Sequence, residues 1–204
     1  MDLNNENSSQ LTNAQGRLLV RLARQTIQTQ LGKPPTEEES SALKQALGDD
    51  IFQIQRGVFV TLKISHNLRG CIGSLAGFTP IRKGIKENAI NAAFHDPRFK
   101  PLTSDELSKV TIEVSVLNHP EPLAYTDGDD LISKLRPQLD GVIIRKGLAS
   151  STFLPQVWEL LPKPHDFLQQ LCLKAGLPAD EWRTGQLEVS TYQVQYFEEN
   201  ALRS

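Results

Sequence analysis

The sequence predicts an α+β fold built on a mostly antiparallel sheet flanked by helices. Three observations lead there. Segments of helical and strand periodicity follow one another without strict alternation, which argues against a doubly wound parallel sheet. Residues 57–75 read as two short strands joined by a tight turn. The chain also lacks a Gly-x-Gly-x-x-Gly fingerprint, a Walker sequence and a Gly-x-Ser-x-Gly nucleophile elbow. A strand, strand, helix order over residues 57–95 recurs, with a longer insertion, over 110–176.

Asn13 opens the first helix, where Leu18, Leu19, Leu22, Ile27 and Leu31 recur near helical spacing until Gly32, Pro34 and Pro35 end it. Residues 1–12 are expected to be a frayed tail and residues 13–204 one domain. Thr36 and Glu39 form a capping box for a second helix carrying Leu43 and Leu47. Val58, Val60, Leu62 and Ile64 alternate with Phe59, Thr61 and Lys63, the period of a half-buried strand, and a turn at 65–67 folds the chain back. Thr79 as N-cap and Pro80 at the first helical position open a helix with Ile81, Ile85, Ala89, Ala92 and Ala93 on one face. Its other face, with Arg82, Lys83, Lys86 and Glu87, reads most simply as a solvated surface.

Pro97 and Pro101 make residues 96–101 a rigid loop, and Thr103 with Glu106 reads as a second capping box. Val110, Ile112, Val114 and Val116 mark a strand. The acidic run Asp127–Asp130 lacks the spacing of a calcium loop and reads as a helix N-terminus. Gly141–Arg145 is a short strand, and Ser150–Thr152 a loop. Pro164–Gly176 is a helix that buries Phe167, Leu168, Leu171 and Cys172. Leu187 and Val189 alternate, and Tyr192, Val194 and Tyr196 resume one residue out of phase, as in a bulged terminal strand.

Composition restricts function before any motif does. The chain has 204 residues, enough for one domain or one with a subordinate lobe, and a formal net charge of −2. That balance gives no attraction for nucleic acid or anionic membranes. Two cysteines, no apolar leader and no apolar run of about 18 residues lead us to expect a protein of the reducing cytoplasm with no membrane segment. His66, His95, His119 and His165 show no ligand spacing, so no metal site is expected.

The chemistry concentrates at Leu68-Arg69-Gly70-Cys71-Ile72-Gly73. In an extended run Arg69 and Cys71 share one face, so the guanidinium could favour the thiolate. Gly70 and Gly73 leave bare backbone beside the sulfur, open to a ligand or a second strand. The competing reading is a small buried thiol that fills a core.

Gly57–Leu62, the hexapeptide 68–73, Asp96-Pro97-Arg98-Phe99, Ile112–Leu117 and Phe153–Trp158 together resemble the AMMECR-one family over about residues 13–198. The Phe-Leu-Pro-Gln-Val-Trp form looks like its prokaryotic branch, the AmmeMemoRadiSam system protein A. The resemblance implies two unequal lobes around one sheet, with the hexapeptide facing a cleft. It also implies encoded neighbours: a Memo-like relative of extradiol dioxygenases and a radical S-adenosylmethionine protein. Many members carry a histidine-glycine pair where this chain has Asp140-Gly141.

Two functions follow. In the first, an enzyme or enzyme subunit uses Cys71 and Arg69 on an anionic substrate; Arg98 binds the anionic group, Asp96 or Glu113 orients it, and Gly70, Gly73 and Ser115 complete the site. No cofactor can be named from these residues. In the second, a non-catalytic module docks on the Memo-like or radical protein through the same motifs, with Cys71 packed and Arg69 tying down loop carbonyls.

Overall fold

The computed structural model describes residues 10–75 and 77–199. They form two compact units, the first running to Asn118 and resuming at Gln195, the second spanning His119–Val194. The tail expected at the N-terminus lies outside the described residues up to position 9. Leu11 and Thr12 belong to the body instead. Leu11 is buried, its N–H donates to Gln195 Oε1 at 2.9 Å, and its carbonyl accepts from Gln195 Nε2 at 3.0 Å.

The first unit begins with helix α1 (Asn13–Gln30), closed by a Thr12/Gln15 capping box, and α2 (Glu37–Ala46), closed by Thr36/Glu39. Strands β1 (Val58–Ile64) and β2 (Asn67–Ser74) form the expected antiparallel hairpin, with Thr61 opposite Cys71 and a register shift between Leu62 and Lys63. Its turn residues Ser65 and His66 both have positive φ, 49° and 66°. Helix α3 (Ile81–Phe94) follows, then β3 (Val110–Leu117), antiparallel to β1. Pro80 occupies the N-cap position of α3 and no side chain caps it, so the cap expected from Thr79 is one residue out. The Thr103/Glu106 box opens no helix: Thr103 N–H donates to Glu106 Oε2 at 3.0 Å, but residues 104–109 are turns.

Strand β4 (Glu121–Pro122) and helix α4 (Gly128–Lys134) begin the second unit, with Asp127 capping α4 through the Asp130 N–H. β5 (Gly141–Lys146) and β6 (Ala149–Phe153) form a second antiparallel hairpin. The expected loop at 150–152 is thus a strand. Serine and threonine there do not break pairing, because Ser151 is buried and donates to the Leu171 carbonyl at 2.7 Å. Helix α5 (Pro164–Lys174) and β7 (Glu188–Tyr192) complete the unit, and β8 (Val194–Glu198) returns to the first. The terminal strand is therefore not one bulged strand but two, in separate sheets, divided at Gln193. The one-residue phase slip in the sequence marks that change of sheet.

Strand order is β2-β1-β3-β8 in one sheet and β6-β5-β7-β4 in the other. Each sheet joins a hairpin, a helix and a returning strand that pairs antiparallel with the hairpin's first strand. The repeat expected from the sequence exists, but its frames are 58–117 and 141–192, because β3 closes the first copy instead of opening the second.

Each unit has its own core. In the first, Leu19, Leu22, Ile27, Ile81, Ile85 and Ala89 of the helices bury the Val60, Leu62, Ile112 and Val114 face of the sheet. In the second, the Trp158 and Phe167 rings stack at 3.7 Å. Trp158 Nε1 donates to the Asp140 carbonyl at 2.7 Å. The Asp140 carboxylate accepts from the Arg136 guanidinium at 2.8 and 3.1 Å. Asp140 is thus a structural residue, 1% exposed.

Gly70 is required by packing: a Cβ there would lie 2.2 Å from the Ala92 carbonyl oxygen of α3. Gly70→Ala is expected to destabilise the fold by about 1–3 kcal/mol, read from the urea unfolding midpoint. The paired positive φ at Ser65 and His66 is the geometry of a two-residue turn that favours Asn-Gly. Replacing them together, Ser65→Asn with His66→Gly, should raise stability by about 1 kcal/mol in the same measurement.

Candidate functional site

One face of the first sheet meets α1 and α3; the other carries the polar residues of the conspicuous motifs. Alternation puts Phe59, Thr61 and Lys63 of β1 on that second face, with Arg69, Cys71 and Gly73 of β2 and Glu113 and Ser115 of β3. Register makes two rows across the strands, Cys71–Thr61–Glu113 and Gly73–Phe59–Ser115.

Cys71 is half-buried, and Thr61 Oγ1 donates to its sulfur at 3.3 Å. Its backbone lies on the outer edge of the sheet, where among the described residues β2 has no further strand beside it. There the Cys71 N–H donates to Asp96 Oδ2 at 2.9 Å, and the Cys71 carbonyl accepts from Arg98 Nη2 at 3.0 Å. Arg98 in turn donates to Asp96 from Nε at 2.9 Å, from Nη2 at 2.7 Å and from its backbone N–H at 3.1 Å. A carboxylate and a guanidinium on the 96–98 loop therefore do for this edge what a neighbouring strand would. Asp96 is 4% exposed. Its hydrogen bonds from Arg98, aided by the Cys71 amide, hold its carboxyl well below the usual range despite burial.

Arg69 does not spend its charge on the sulfur. Its Nε and Nη2 bind Glu106 bidentately at 2.8 and 3.0 Å, and Nη2 also donates to the Lys100 carbonyl at 3.0 Å. The Phe99 ring centroid lies 5.9 Å from the Arg69 guanidinium carbon and 5.6 Å from that of Arg98. Glu106 further accepts the Thr103 N–H at 3.0 Å. The Arg69 hydrogen bonds, with that of Thr103, lower its pKa to about 2.

The structure thus gathers Arg69, Gly70, Cys71, Asp96 and Arg98 around the β2 edge. It leaves Glu113 apart, one strand beyond Thr61 and roughly 10 Å from Cys71 by strand spacing. Glu113 accepts from Lys63 Nζ at 2.8 Å, and Lys63 also reaches Glu198 at 3.3 Å. Ser115 is buried, 6% exposed. The bare backbone expected beside Cys71 is filled: Ala92 covers Gly70, and the Phe59 ring would lie 2.2 Å from a Cβ on Gly73. His66 and His95 are exposed, at a turn and at the end of α3. Cys172 is buried in the second core, where desolvation raises its pKa, in keeping with the core role read from its helical face.

Glu106, Thr61 and Lys63 are the site residues that sequence reasoning missed. Thr61 could have been found from the hairpin register. Glu106 carried the signature of a cap, and nothing local marks it as the partner of an arginine 37 positions earlier.

A family model, AMMECR1, matches residues 20–197. The chain belongs to the AMMECR1 family. A protein of Methanothermobacter thermautotrophicus is 39% identical to it over 93% of this chain and 97% of its own length. One of Methanosarcina barkeri is 39% identical over 93% and 92%. The crystal structure of an uncharacterized protein from Pyrococcus horikoshii superposes with a TM-score of 0.73 at 33% identity, covering 93% of both chains. The Pyrococcus horikoshii chain shares the fold of this AMMECR1 protein.

Glu106 makes acid sensitivity a test of this AMMECR1 site. Its carboxyl titrates near 2 in the folded chain against an ordinary value of 4.5. Its stabilisation is therefore complete above 4.5 and lost as pH falls from there toward 2. Glu106→Gln should lower the urea midpoint at pH 7, with the difference from wild type shrinking across that window. Equal differences at pH 7 and pH 2.5 would show that the Arg69 pair does not carry the effect.

Proposed function

We propose that this AMMECR1 chain is a non-catalytic binding module of the cytoplasm that docks a protein partner beside the β2 edge. One observation carries the reading: the charged groups around Cys71 are already committed to one another or to backbone. Arg69 is held by Glu106, Arg98 by Asp96 and the Cys71 carbonyl, and Lys63 by Glu113. Beside the sulfur stand the Thr61 hydroxyl, which donates to it, and the Arg98 guanidinium, and neither can act as the base a cysteine nucleophile needs. What such an edge offers is a rigid surface in which, among the described residues, Arg69 Nη1 is the donor left buried without a partner. Apolar side chains close to it in sequence stand in water: Leu68 within β2 is 44% exposed, and Phe78, four residues after its end, 82%. An aromatic ring standing in water next to a rigid element is the type of residue that dominates binding energy at protein interfaces.

The partners this reading takes are those the family resemblance implies, a Memo-like protein and a radical S-adenosylmethionine protein. Both cysteines are free, which suits a reducing compartment, and among the described residues no helix is long and apolar enough to cross a membrane. A second reading, Cys71 as nucleophile, is favoured by its partial exposure and by the Arg98 guanidinium beside its side chain.

Titration calorimetry of the full chain against each purified neighbour tests the proposal. A complex is expected with at least one of them. Phe78→Ala should weaken it at least roughly tenfold, while Cys71→Ala changes affinity less than about twofold. Binding to neither partner overturns docking. Loss of the assembled system's activity in both Cys71→Ala and Cys71→Ser would return the chemistry to the sulfur.

A further inference from the structure

Helices α1, α2 and α3 of the first unit line a hollow of about 590 Å³ that shares no residue with the β2 motif. Its floor is apolar, with Leu22 from α1 and Leu43 and Leu47 from the α2 segment. Its rim carries four cations, Lys44, Arg82, Lys83 and Lys86, and among the described residues no carboxylate lines it. Among the described residues no ion pair is recorded for Lys44, Arg82 or Lys86. Lys83 approaches Glu87 only at 3.7 Å, with both side chains more than half exposed. Such a pair neutralises little.

Four like charges around one hollow repel one another, and this chain has a net charge of −2, so they are not the residue of a generally basic surface. Arg82 and Lys83 stand in the first turn of α3, which holds no acidic residue, and there the positive end of the helix disfavours cations further. The hollow on the other side of α1, about 360 Å³, shows the contrast. Arg17, Arg21 and Arg24 line it, but so do Glu39 and Glu199, and Arg24 is ion-paired with Glu199. There two carboxylates offset most of the positive charge; in the larger hollow none does.

We propose that the larger hollow binds a small free molecule that joins a phosphate-type anion to a short apolar body. The anion is held by the rim cations, with the Arg82 fork suited to phosphate oxygens. The apolar part lies on Leu22, Leu43 and Leu47. The volume is that of a small-molecule site and not of an extended interface. This site shares no residue with the β2 edge, so it stands or falls separately from the docking reading.

Titration of the full chain with hexyl phosphate and with inorganic phosphate tests it. Hexyl phosphate should bind at least about tenfold tighter, because only it reaches the apolar floor. The double variant Lys44→Gln/Arg82→Gln should bind hexyl phosphate at least about tenfold more weakly with an unchanged melting temperature, both side chains being on the rim. Arg17→Gln/Arg21→Gln should leave its affinity unchanged. Equal binding of the two phosphates, or equal weakening by both double variants, would reduce the effect to general surface charge and overturn the proposal. Sedimentation with phosphatidylglycerol vesicles that depends on Lys44 and Arg82 would assign the anion to lipid and overturn the free-ligand form.

Discussion

Asp96 holds together two segments that have no covalent reason to meet. Its carboxylate, almost fully buried, accepts from the Cys71 amide and from three donors of Arg98, while Arg98 returns a bond to the Cys71 carbonyl. A buried carboxylate is tolerable only when such partners replace its water, and here they do. The consequence is a finished edge strand. Among the described residues no strand lies beyond β2 in its sheet, and an unfinished edge invites further strands. The 96–98 loop supplies both a donor and an acceptor at the level of Cys71, so this conspicuous stretch of the chain is anchored on both sides, by β1 and by the loop.

The same constraint explains the surrounding residues. Gly70 has no side chain because the Ala92 carbonyl of α3 lies against it, which brings the end of α3, and hence Asp96 two residues past its C-terminus, close to β2. Phe99 then falls between the guanidinium groups of Arg98 and Arg69. Arg69 is fixed in turn by Glu106 and the Lys100 carbonyl, so the loop from 96 to 106 is pinned at both ends to one strand. Read together, Arg-Gly-Cys-Ile-Gly and Asp-Pro-Arg-Phe form one interlocked structural unit more than a nucleophile with its activator.

The two halves of the chain repeat a topology without repeating this device. Both sheets take a hairpin, a helix and a returning strand in the same order. In the first unit the hairpin's outer strand is closed by charged loop residues. In the second, β6 is joined to its helix by buried Ser151 and to the core by Phe153 against Phe167. Asp140 does for the second unit something close to what Asp96 does for the first, taking an arginine four residues away while its carbonyl receives the Trp158 indole.

Periodicity determined most of the elements, because a strand or helix with one buried face writes its period into a few consecutive residues. The β1–β2 hairpin, the Thr36/Glu39 capping box, the apolar face of α3 and that of α5 all follow from local spacing. So does the pairing of Arg69 and Cys71 on one face of β2. What the tertiary structure decided was the partner of each charge. Glu106 looks like a cap and binds Arg69; Arg98 looks like an anion receptor and grips Asp96; the strand at 188–198 looks continuous and divides between sheets. Charged side chains reach several ångströms in any direction, and their choice among carboxylates, carbonyls and water depends on which segments packing brings near, a quantity that sequence spacing does not contain.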